Sequence, residues 1–141
     1  MSAHYAKSYI DQLYDTKDVS MLRGVVGVIQ KQRQLPEQFT VFMGFWDWVC
    51  SSRSGIYQYY ECIEHRDISE FESLANGLAK FGFREIAERY RSGMATWRDD
   101  ECDPLDEWID GHRDELKASA FQLIAEYRAC LYIDESSSKA E

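Results

Sequence analysis

Ser54-Gly55-Ile56-Tyr57-Gln58-Tyr59-Tyr60 joins two apolar segments through a single glycine. The segment before it, Phe39 to Trp48, is the densest aromatic run of the chain. A residue that ends one helix and begins another often needs a positive φ, which glycine adopts at little steric cost. Gly55 therefore reads as a buried turn into a helix that locks two core helices together. Tyr57, Tyr60 and Glu61 are expected on one side of that helix, and Ile56, Tyr59 and Ile63 on another. Gln58 is the expected partner for backbone groups freed at the turn.

Outward from this stretch, the periodicity is helical almost throughout. Toward the N-terminus, Pro36 opens a helix carrying Phe39, Phe42, Met43, Trp46, Val49 and Cys50 on one face. Phe45 and Trp48 fall on another side, so this helix is expected at the centre. Asp18 is placed to cap an earlier helix with Val19, Leu22, Val25, Val26 and Ile29 on its apolar face. Gly24 and Gly27 inside that helix imply close helix packing, and without a preceding strand they are not a phosphate loop. Residues 3–15 form a weak amphipathic helix.

Toward the C-terminus, Asp67-Ile-Ser-Glu70 has the form of a capping box for a helix through Phe81. Gly82 ends that helix, and 84–96 follow as the second arm of a helical hairpin. Pro104 marks a short helix with Leu105, Trp108 and Ile109, and a last helix is expected over 113–132. Residues 134–141 are a polar tail. The expected fold is all-α: one compact domain of six to eight helices in an orthogonal or irregular bundle.

The chain has 141 residues with nine Tyr, seven Phe and four Trp, enough for a full core. Its net charge of −9 argues against direct contact with nucleic acid or anionic lipid. No apolar run is long enough for a membrane span. The first residues, Met1 to Lys7, lack an apolar signal region, so a cytoplasmic location is expected. The cysteines at 50, 62, 102 and 130 form no Cys-x-x-Cys pair and read as free thiols. Cys50, Cys62 and Cys130 suit small core positions.

The charge is concentrated at one end. Residues 97–141 hold 13 acids against 5 bases, whereas residues 1–96 hold 12 against 11. The densest part is Asp99, Asp100, Glu101, Asp103, Asp106, Glu107, Asp110, Asp114 and Glu115, with Arg113 alone among them. The helix dipole accounts for acids in a first turn, at about 0.3–1 kcal/mol each. It accounts for Asp103, Asp106, Glu107, Asp114 and Glu115, but not for Asp99 to Glu101 or Asp110. A protein-binding acidic surface stands beside the plain reading of a solvated face. Charge reversal of Asp103, Asp106, Glu107 and Asp110 is expected to abolish such binding without unfolding the chain.

No catalytic constellation, cofactor motif or metal site is read from the chain. His4, His65 and His112 are far apart, and Glu61 with His65 needs further ligands. The serines at 51, 52 and 54 lack a nucleophile elbow. Two alternatives stand beside protein binding. One is a small-ligand or enzymatic site at the aromatic corner of Trp46, Tyr57, Gln58 and Tyr60. The other is a structural or homodimerising module.

Gly55-Ile-Tyr-Gln-Tyr-Tyr60 resembles the Gly-Phe-x-Gln-Tyr-Phe core of the DNA-mimic-protein-like family, which is all-helical. Gly55, Gln58 and Tyr59 match, Ile56 and Tyr60 are apolar or aromatic replacements, and Arg53-Ser54 replaces the family's Asn-Gly. Leu35 to Trp48, the Leu74–Tyr90 hairpin, and Pro104-Leu-Asp-Glu-Trp with Leu123-Ile-Ala-Glu-Tyr-Arg128 extend the similarity over 35–133. Residues 1–34 lie outside it. The resemblance implies a non-enzymatic domain whose carboxylates imitate DNA phosphates and occupy a basic, DNA-binding protein.

Overall fold

α3 (Glu37–Ser51) has apolar side chains on nearly every side, so it is stable only where neighbours cover it all round. The computed structural model, which describes residues 5–52, 55–62, 67–99 and 102–132, supplies that cover. Of Asp99, Cys102 and Asp103 it describes the backbone alone. α3 packs against α2 (Val19–Gln30), α4 (Ile56–Glu61), α5 (Ile68–Lys80) and α8 (Arg113–Ile124). Phe39, Phe42, Phe45 and Trp48 are fully buried. Each such side chain contributes roughly 1.5–3 kcal/mol relative to exposure. α1 (Lys7–Asp15), α6 (Arg84–Thr96) and α7 (Cys102–Gly111) complete an all-α single domain of eight α-helices among the described residues. Short 3-10 turns follow α6 at Trp97–Asp99 and α8 at Arg128–Leu131.

Several boundaries follow from local chemistry. Asp18 accepts a hydrogen bond from the Met21 amide and caps α2. Asp67 caps α5, but its carboxylate accepts from the Ser69 amide, one residue short of the capping-box position. That bond holds the Asp67 carboxyl below its usual range. Gly82, at φ 96°, ends α5. The Phe83 amide then reaches the Leu78 carbonyl and the Gly82 amide reaches Ala79, the Schellman pattern that a left-handed glycine permits.

The last helix is shorter than expected. α8 stops at Ile124 instead of running to 132. The Tyr14 hydroxyl of α1 donates to the Ile124 carbonyl at 2.9 Å, where the next helical amide would bind. The Tyr127 amide also closes onto that carbonyl, and the chain tightens into its 3-10 turn.

Within residues 5–34, α1 and α2 belong to the same core. Ile10, Leu13, Tyr14, Leu22 and Val26 are buried in one cluster with the aromatic residues of α3. Polar contacts fasten this end to the C-terminal turn. Arg33 donates to the Cys130 and Tyr132 carbonyls. Asp11 accepts from Arg128 and from the Tyr132 hydroxyl, and the latter bond is the main cause of its lowered pKa.

The expected role of two glycines does not hold. A Cβ on Gly24 would meet nothing, and one on Gly27 only the side chain of Arg23 in the same helix. Close approach occurs elsewhere, at Gly44, Gly77 and Gly93. Among the described residues no helix is long and apolar enough to cross a membrane.

Candidate functional site

The aromatic corner is the first region the sequence singles out. Gly55 has φ 99°, the left-handed conformation expected of it. Ile56 and Tyr60 turn inward together while Tyr57 is 44% exposed, so the expected pairing of Tyr57 with Tyr60 is reversed. Gln58 is exposed. The backbone group freed at the turn, the Ile56 amide, instead donates to Asp106 Oδ1 of α7 at 2.9 Å.

Tyr60 is fully buried and its ring fills the space left by Gly93 of α6. Its hydroxyl accepts from Trp48 Nε1 at 2.9 Å and donates to the Tyr90 carbonyl at 2.7 Å. The Tyr59 and Tyr90 hydroxyls bond each other at 2.8 Å. Burial, then the neighbouring Tyr59, raises the Tyr90 phenol far above its usual range, so it stays protonated. Bonded to one another, to the Trp48 indole and to the Tyr90 carbonyl, these hydroxyls are satisfied inside the core.

The four residues of the alternative corner site do not converge. Trp46 donates to Ser20 of α2, Tyr57 stacks edge-on against Trp97, Gln58 faces solvent and Tyr60 lies beneath Gly93. The exposed large apolar side chains among the described residues, Met21, Tyr57 and Ile68, stand on three different helices.

The acidic cluster divides into two kinds of residue. Asp106 and Asp110 have work inside the fold. Asp106 caps α4, and Asp110 accepts from the Ser52 hydroxyl at 3.0 Å and from Arg113 at 2.9 Å. Arg113 also donates to Ser52, so α8, α7 and the end of α3 meet at one polar knot. Reversing Asp106 or Asp110 therefore disturbs the fold as well as the surface.

Glu107, Asp114 and Glu115 are exposed, with no hydrogen bond or ion pair among the described residues. Arg89 of α6 lies over Trp108, the neighbour of Glu107 in sequence, its guanidinium 4.9 Å from the centre of the ring, which also stacks on His112. Asp100 and Glu101, and the side chains of Asp99 and Asp103, lie outside the described residues.

A third feature escaped the sequence reading. α3 and α5 run antiparallel: Lys80 ion-pairs with Glu37 at 2.9 Å, Gly77 faces Val41, and Gly44 faces Leu74. Their solvent side carries a furrow of about 560 Å3. Its floor is Val41, Gly44, Phe71, Leu74 and Gly77, and Thr40, Asp47, Glu70, Ser73 and Asn76 form its rim. Tyr59 of α4 and Cys62, just past its last residue, line one end. Cys50, Cys62 and Cys130 are free thiols, each half-buried rather than fully in the core.

Compared with known proteins, the chain matches no family model, no curated protein and no solved structure.

Proposed function

We propose that the chain is a non-enzymatic protein-binding domain whose acidic α7–α8 end meets a basic surface on its partner. The observation that carries the reading is the group Glu107, Asp114 and Glu115. These carboxylates are exposed and unpaired among the described residues, at the end of the chain that holds nearly all the excess charge. An unpaired cluster of like charge gains interaction energy when a basic surface arrives, and it steers encounter over about a Debye length.

The family resemblance at Gly55–Tyr60 adds the kind of partner. Duplex DNA presents one negative charge per roughly 1.7 Å of axis. The exposed carboxylates of α7 and α8 would stand in for those phosphates and occupy a DNA-binding protein. Asp106 and Asp110 contribute by holding α7 against α3 and α4. The aromatic corner is then the anchor of the surface and not the surface itself.

The test is retention of partners by the immobilised chain from a lysate at low salt. Basic nucleic-acid-binding proteins are expected to bind, and duplex DNA or raised salt to release them. The triple variant Glu107→Lys, Asp114→Lys, Glu115→Lys should lose them while unfolding at an unchanged temperature. The reading fails if no basic protein is retained, if DNA does not compete, or if the variant retains the same set.

A further inference from the structure

The furrow between α3 and α5 has no residue of α7 or α8 in its lining and has its own chemistry. The close contacts of Gly77 with Val41 and of Gly44 with Leu74 draw the two helices together, so the floor is apolar and shallow. The small rim residues Thr40 and Ser73 leave it open above. Its length, from Glu37 to Asp47 along α3, is about 15 Å at the helical rise of 1.5 Å per residue. Lys80 and Glu37, paired across the helices, line one end, and Tyr59 and Cys62 line the other. A short molecule spans that length. Its volume of about 560 Å3 is in the range of small-ligand sites.

The charges differ between the two ends. At the Glu37 end the carboxylate is neutralised by Lys80. At the Tyr59 end stand Asp47, held by Arg23 from the α2 side, and Glu70, whose exposed carboxylate has no hydrogen bond or ion pair among the described residues. A carboxylate without a counter-ion beside an aromatic ring is a setting for an ammonium group.

We propose that this furrow binds a small amphiphilic amine, with its apolar body on the Val41–Gly44–Leu74–Gly77 floor and its ammonium group beside Glu70 and Tyr59. The test is calorimetric titration of the full chain with decylammonium below its micelle concentration. Parallel titrations use decyl sulfate, uncharged decyl maltoside and a lysine-rich amphipathic peptide. One-to-one saturable binding of the amine is expected, with the sulfate and the maltoside weaker, and amide shifts should centre on Gly44 and Gly77.

Ser73→Trp, at an exposed position over the floor, should abolish binding, and Thr40→Trp on the opposite wall should do the same. Glu70→Gln should weaken the amine about threefold, the range of an exposed ion pair, and leave the maltoside unchanged. Glu72→Gln, outside the furrow, should change nothing. The proposal is overturned by no saturable binding, by the sulfate binding as tightly as the amine, or by the tryptophan variants retaining affinity. It is equally overturned if only the peptide binds in a manner sensitive to Ser73→Trp.

Discussion

The aromatic corner and the α3–α5 furrow use one device to opposite ends. Each depends on a helical glycine that receives a side chain from a neighbouring helix. At Gly93 the incoming group is the whole ring of Tyr60, and the space is filled. At Gly77 and Gly44 the incoming groups are the branched tips of Val41 and Leu74. There the helices approach, and the surface above them stays open. A glycine thus makes a solid joint when a large residue enters from inside the core. It makes a furrow when a smaller one reaches across beneath the surface. Gly24 is the reference case: it receives nothing, and its substitution separates close approach from intrinsic helix preference.

The largest effect should come from closing the joint. Gly93→Ala sets a methyl group against the buried Tyr60 ring, which has no room to move. It should cost about 2–3 kcal/mol, the range for overpacking a core, measured by urea denaturation. If Gly93→Ala is neutral, the corner is slack and the contrast with the furrow disappears.

Tyr60→Phe keeps the ring but strands the Trp48 indole N–H and removes the donor to the Tyr90 carbonyl. A loss of about 1–2 kcal/mol is expected for a buried donor left unsatisfied. A smaller loss would mean that packing alone, as in the furrow floor, holds the corner.

Asp106→Ala should cost about 1 kcal/mol, the usual effect of losing a capping acceptor. Glu107→Gln, one residue on and exposed, should stay within about 0.5 kcal/mol. Equal effects at both positions would erase the division of the acidic cluster into structural and surface carboxylates.

One change should be a gain. Gly24→Ala has open space for its methyl group and is expected to stabilise by up to about 1 kcal/mol. A loss there would show that Gly24 has a neighbour after all.

The helices were largely legible because their signals are local. Asp18, Asp67, Gly55 and Gly82 act within a few residues of themselves, as caps or as glycines at positive φ. The central place of α3 was legible because a helix apolar all round has nowhere else to go. The end of α8 was not legible. Nothing near Ile124 announces that a hydroxyl from α1, Tyr14, takes its carbonyl. The capping box over-read Glu70, which turns to the rim of the furrow. Gln58 was the expected partner at the Gly55 turn, yet the acceptor came from Asp106, fifty positions from Ile56.

The candidate surfaces divide along the same line. The acidic end is a matter of composition, and counting Asp and Glu was enough to find it. Which carboxylates remain outside the fold was not countable, because Asp106 and Asp110 acquire partners only when α7 meets α3 and α4. The furrow had no sequence sign at all. Gly44 and Gly77 look no different from Gly24 and Gly27 along the chain.

By itself, the sequence determined an acidic all-α domain with an aromatic centre and turns at Gly55 and Gly82. Helical periodicity, capping and net charge need only near neighbours or a sum. The tertiary structure alone decided which glycines are contacts, which carboxylates are internal and where the surface opens. Those properties belong to pairs of helices, and no single segment contains them.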